Sequence, residues 1–215
     1  LSQKNAYVIL GGDLTNNATR SSTSDIFEET MRPSAQKKKI AEQLKPLRDR
    51  ILCCVSGNHE RRSAKDADSD PTYDIMTKLD LEDIYRPNMA FLKLRLGERK
   101  GGGRDNPAYI LAVTHGSGGG IYTGAAVNRN ERFGYIIDGL DALIVGHSHK
   151  PAVTKPQKID PYNNKVTMTT FTVLTMSPWM SYGGYALRKQ LLPATSGEPQ
   201  VLELKAGKKR LIVHW

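Results

Sequence analysis

Four short apolar runs constrain this chain more than any other feature in it. Residues 6–10, 51–55, 109–114 and 142–145 are rich in Val, Ile, Leu and Tyr and show no polar alternation, the pattern of parallel strands covered on both faces. Segments with helical signals lie between them. Ser34 is placed to cap a helix whose Ile40, Ala41, Leu44 and Leu47 fall on one stripe. Residues 71–85 and 125–137 carry similar stripes. Strand, helix and strand in alternation predict an α/β sheet rather than a bundle or an all-β fold. After His149 the texture changes, and the β-branched runs 166–175, 201–204 and 211–213 predict a mostly β stretch, 151–215, closing the same single domain. A chain of 215 residues is long enough to bury a core without disulfide staples.

Each of the four runs ends in groups able to bind a metal. The first leads into Gly11-Gly12-Asp13, the second into Ser56-Gly57-Asn58-His59-Glu60, the third into His115-Gly116, and the fourth into Gly146-His147-Ser148-His149. In α/β sheets the carboxyl ends of the strands form the binding crevice, so groups far apart in sequence converge there. Four of the five histidines sit at these ends; His214, alone near the C-terminus, reads as an ordinary packed or surface residue. Asp13 offers a carboxylate able to bridge two cations, Asn58 a carbonyl oxygen, and His115, His147 and His149 imidazole nitrogens. A mixed oxygen and nitrogen set without thiolate suits Mn, Fe, Zn or Ni better than calcium or a structural zinc.

Charge adds a second, weaker signal. Thirty-one basic against 22 acidic residues give a net charge of +9. Residues 31–65 hold ten Lys/Arg against three acids, whereas 66–90 hold seven acids against two bases. Such a balance favours an anionic partner, a nucleic acid or a nucleotide, although each basic cluster on its own reads equally as solvated surface. Arg61 and Arg62 directly follow the second strand-end motif and are candidates to bind phosphate in bidentate fashion. No run approaches the roughly 18 apolar residues of a membrane span. The adjacent Cys53 and Cys54 would face opposite sides of a strand and are not expected to pair. Both observations point to a cytoplasmic protein without a membrane partner.

Other motifs fail on inspection. Asp66-x-Asp68-x-Asp70 opens like a calcium loop, but Pro71 stands where glycine is needed and Thr77 where glutamate is needed. Ser117-Gly118-Gly119-Gly120 lacks the Gly-Lys-Ser/Thr of a nucleotide loop and reads as a mobile loop. Trp179 and Tyr182 are candidates either to line a substrate cleft or to fill the core.

Taken in order, Gly12-Asp13-Leu14-Thr15-Asn16, Gly57-Asn58-His59-Glu60, His115-Gly116 and Gly146-His147-Ser148-His149 closely resemble the motifs of the calcineurin-like metallophosphoesterases. The resemblance spans residues 6–150. It implies a central β-sandwich with flanking helices, a dinuclear metal centre and hydrolysis of a phosphoester by in-line attack of an activated water. By position, Asp13 would bridge the metals, Asn58, His115 and His147 would complete one site, and His149 would belong to the other. His59 would be the catalytic histidine that meets the phosphate and helps protonate the leaving oxygen. Asn16 takes the place of the second polar residue of the Gly-Asp motif and is a candidate substrate contact with Arg61; Glu60 replaces the commoner Asp. The Asp-x-His that opens the family pattern occurs nowhere in these 215 residues. The expectation is therefore a chain short of its first strand and helix, with one metal site complete and the other incomplete. The reading that follows is a metal-dependent phosphodiesterase or nuclease-like hydrolase. Its alternative is a degenerate, non-catalytic member that acts as a binding or scaffold subunit.

Overall fold

The computed structural model describes residues 3–20, 22, 26–97, 106–120, 122–162, 164–179, 187, 190 and 199–215. Tyr182 and residues 101–103 lie outside that set. The chain is of mixed α/β class, and it gathers into two compact units: residues 1–90 with 114–117, and residues 91–113 with 118–215.

In the first unit, β1 (Val8–Leu10), β2 (Ile51–Val55) and β3 (Tyr85–Arg86) form a three-stranded sheet in that order. Both pairings are parallel, with Leu10 opposite Cys54 and Cys54 opposite Tyr85. The lack of polar alternation in β2 has its predicted cause, because four of its five residues are buried. Helix α1 (Pro33–Leu44) lays Ile40, Ala41 and Leu44 on this core, and the 3-10 turn that follows adds Leu47. Ser34 does not cap it. Pro33 takes the first helical position, where its fixed φ is already helical, and Arg32 precedes it with no side-chain cap. Helix α2 (Glu60–Ala67), which the sequence patterning missed, and α3 (Pro71–Thr77) complete the unit. The stripe at 71–85 therefore ends as a helix at Thr77. Asp80 turns into the left-handed region and the chain continues through a short 3-10 turn into β3.

Two of the failed calcium-loop acids are structural. Asp68 ends α2 in the left-handed region. Asp70 caps α3, accepting hydrogen bonds from the Thr72 and Tyr73 amides and, at 2.5 Å, from the Tyr85 hydroxyl.

The second unit is built on a five-stranded sheet. Its order is β4 (Met89–Arg95), β5 (Ala108–Thr114), β6 (Ala142–Val145), β10 (Thr172–Thr175) and β7 (Ala152–Thr154). Strand β10 runs parallel to β6 and antiparallel to β7, and Thr175 lies opposite both Val145 and Ala152. Helix α4 (Thr123–Tyr135) packs on β10: Asn130 donates to the buried Thr175 hydroxyl at 3.0 Å. Two hairpins, β8 (Gln157–Tyr162) with β9 (Lys165–Thr170) and β11 (Val201–Leu204) with β12 (Leu211–His214), account for the β-rich texture after His149. In the glycine loop after His115, the Gly118 and Gly119 carbonyls accept hydrogen bonds from the Arg129 guanidinium at 3.4 and 3.2 Å.

Candidate metal centre

Two turns at the ends of β1 and β2 are knitted into one another, and glycine makes the approach possible. A Cβ on Gly57 would stand 2.0 Å from Asp13 Oδ1 and 2.2 Å from the Asp13 nitrogen, so no other residue fits there without moving the carboxylate. A Cβ on Gly12, at φ 84°, would stand 2.6 Å from the Gly57 nitrogen.

Glu60 closes the knot from α2. Its side chain is fully buried, and its two oxygens accept the amides of Asp13 (3.0 Å), Gly57 (3.0 Å) and Thr15 (2.9 Å). Burial and the Asp13 charge push its carboxyl up, and the amide donors only partly oppose this. Asn17 grips from the other side, donating to the His59 carbonyl at 2.9 Å and to Ser63 Oγ at 2.8 Å. The same 13–17 turn thus holds both ends of His59, whose amide donates to Asp13 Oδ1 at 3.0 Å.

His115 reaches this knot from the end of β5. Its Nδ1 lies 2.8 Å from the Gly11 carbonyl, which can only accept, so Nδ1 carries a proton and Nε2 is the nitrogen turned to the site. Nε2 lies 2.9 Å from Asn58 Oδ1 and 3.2 Å from Asp13 Oδ2. Burial alone would raise the Asp13 carboxyl, but the hydrogen bond and charge of His115, with help from His59, outweigh it and hold Asp13 at about 2. The converse applies to His115: burial disfavours its charge, and the Asp13 carboxylate more than compensates and pushes its pKa up. Asp13, Asn58 and His115 therefore bring a carboxylate, an amide oxygen and an orientated imidazole to one place, a donor set that fits a divalent ion of the manganese-to-zinc series. His59 Nε2 stands 3.7 Å from Asp13 Oδ2, beside these donors.

In the second unit, His147 and His149 occupy the turn that leaves β6, as the sequence predicted. Both have left-handed backbones, at φ 64° and 52°, and Asp13 shares that conformation at φ 53°. Non-glycine residues rarely adopt it, although Asp and His tolerate it better than most, and it persists where the surrounding structure enforces it.

The two expected substrate contacts have partners of their own. The Asn16 amide donates to Glu29, and the Arg61 guanidinium donates to the Pro87 carbonyl at 2.9 Å. Arg61 lines a cleft of about 230 Å³ together with the acids Glu60 and Asp70. Trp179 is not a core residue, since it is 75% exposed. Sequence reasoning missed the roles of Glu60 as the tie between both turns and of Asn17, one position past the asparagine it singled out. The signal for Asn17 was weak, because two adjacent asparagines leave the buried one undetermined.

Oxygen and nitrogen donors at strand ends of an α/β chain, on strained turns held by buried hydrogen bonds, are the architecture of a metal-dependent hydrolase. The chain belongs to the calcineurin-like phosphoesterase family, whose sequence model matches residues 1–151. It is in this general sense a metal-dependent phosphoesterase. Searches of curated proteins and of solved structures each returned no match. Among the described residues, no helix is long and apolar enough to cross a membrane.

Proposed function

We propose that this chain hydrolyses phosphodiesters, as a nuclease-like or nucleotide-directed enzyme, with His59 acting on the leaving oxygen. The observation that carries this reading is the double grip of the 13–17 turn on the His59 main chain, with the His59 imidazole 3.7 Å from the Asp13 carboxylate, beside the Asn58 and His115 donors. To this centre we assign His147 and His149, on the motif order in the sequence, and two divalent ions, manganese foremost. When bound, such ions supply charge stabilisation to the phosphoryl group and lower the pKa of the attacking water. His59 would hand a proton to the departing oxygen, a contribution of about 10²–10⁴-fold. The basic segments support an anionic, nucleic-acid or nucleotide substrate, and Asn16 and Arg61 remain assigned to substrate contact. Two free cysteines favour a reducing, cytoplasmic setting.

A second reading is a non-catalytic binding or scaffold subunit. Hydrolysis of bis-p-nitrophenyl phosphate with Mn²⁺ decides between them. The enzymatic reading expects turnover that a chelator abolishes and that His115→Ala and His147→Ala reduce at least about 100-fold. Turnover absent from the metal-loaded chain, or indifferent to both substitutions, overturns it.

A further inference from the structure

We propose that strand β4 presents a contact surface for single-stranded nucleic acid, with the Phe91 ring stacking on a base and Lys93 and Arg95 holding phosphate oxygens. The proposal rests on the nuclease-like reading above and gives it a surface that no motif assigned. Side chains along β4 alternate between two faces. Ala90 is buried and Leu92 and Leu94 are half-buried, whereas Phe91, Lys93 and Arg95 are exposed. These outward residues stand at i, i+2 and i+4, roughly 7 Å from one to the next, and form one stripe. The strand holds no acidic residue and is an edge of its sheet. All three outward residues lie in the second unit, so the surface needs nothing from the first.

Phe91 separates this stripe from ordinary edge protection. Cations on an edge strand deter pairing with another chain, and an exposed aromatic does the opposite. Phe91 is 61% exposed, on a strand whose inward positions already carry its leucines. An aromatic ring in line with cations is the combination that binds unpaired bases: every base has a face to stack on, and the cations track the backbone. A duplex hides those faces, which selects single strands. A second basic element adjoins the same sheet. The Tyr109 hydroxyl of β5, the strand beside β4, donates to the Lys205 carbonyl at 2.7 Å and accepts the Arg210 amide at 2.9 Å. That contact holds the tip of the β11–β12 hairpin, where residues 205–210 are exposed and carry four bases and no acid. Asp141 engages Lys209 at 2.7 Å and Glu203 engages Lys205, while Lys208 and Arg210 add to the positive field around the sheet.

The test is fluorescence anisotropy of the manganese-loaded chain with labelled oligothymidylate and oligouridylate of about 15 nucleotides, phosphorothioate-linked so that they resist hydrolysis. The parent is compared with Phe91→Ala, Phe91→Tyr and the double variant Lys93→Gln with Arg95→Gln, each checked for folding by thermal denaturation. The expected result is binding of at least one strand type, weakened about five- to a hundredfold by Phe91→Ala and kept by Phe91→Tyr. The double variant should lower the slope of log affinity against log salt by about 1.4. No binding by the parent, or unchanged affinity in folded Phe91→Ala, overturns the proposal. A duplex of the same length weakened equally by Phe91→Ala also overturns it, because stacking would not be the cause. If Phe91→Ala does not fold, the salt slope of the double variant decides, and an unchanged slope overturns the proposal. Bis-p-nitrophenyl phosphate has neither base nor strand, so its turnover by the parent tests the phosphoesterase reading separately. Turnover without oligonucleotide binding ends the proposal alone; binding without turnover upholds the surface and ends the enzymatic reading.

Discussion

Glu60 shows how much a single carboxylate organises. Three main-chain amides from two segments end on its oxygens in a site without water access. Glu60→Ala should destabilise the chain by at least about 3 kcal/mol, since each orphaned buried donor costs about 1–3 kcal/mol. Glu60→Gln should fall between the two, because its NH₂ would face donors. Gly57→Ala should cost about 3 kcal/mol by overpacking, as the new methyl would overlap Asp13. Chemical denaturation measures all three. A loss below about 1 kcal/mol for Glu60→Ala would show that the knot is not built as described. The motif reading had noted Glu60 only as a variant of a commoner residue. Its fully buried, triply bonded state comes from a contact 47 residues apart in sequence, which spacing cannot reveal.

At the scale of elements, β2 carries its own pH response. Burial pushes the Cys53 thiol to about 12, with Arg86 pulling it back slightly, and Cys54 is driven higher still by burial and by the Glu60 and Asp70 charges. In the unfolded chain both ionise near 9. Folded thiols keep protons that unfolded ones release, so stability is full below about pH 8 and falls between pH 9 and 12 by up to about 1.4 kcal/mol per pH unit for each cysteine. Native chain at pH 8 should resist thiol reagents, and both cysteines should react once it is unfolded; rapid labelling of the native chain would contradict the burial of β2. Packing of α4 makes a similar claim. A Cβ on Gly134 would lie 2.4 Å from the Phe171 ring, so Gly134→Ala should lower stability by about 1–3 kcal/mol despite the better helix propensity of alanine. A rise in melting temperature would mean that Phe171 can swing away.

For the whole molecule, the measurable consequence of the centre is linkage to metal. A divalent ion that binds the folded chain at a hundred times its dissociation constant adds about 2.7 kcal/mol of stability. For a chain of this size that is roughly 5–10 °C in Tm. Manganese should produce that shift, a chelator should reverse it, and His115→Ala should abolish most of it, which thermal denaturation reads directly. An equal shift in the substituted chain would place the ion elsewhere.

By itself the sequence determined the mixed α/β class, the four strands β1, β2, β5 and β6 to within a residue or two, and the placement of Asp13, Asn58, His115, His147 and His149 just beyond their ends. Apolar runs and histidines are local signals, and a strand that is buried on both faces must be apolar throughout. Tertiary structure alone decided the rest. Helix α2 is short and almost wholly polar, so periodicity could not show it. Asn17 was separated from Asn16 only by burial. Each of these depends on which distant segment arrives alongside, and that is a property of packing rather than of any stretch of chain.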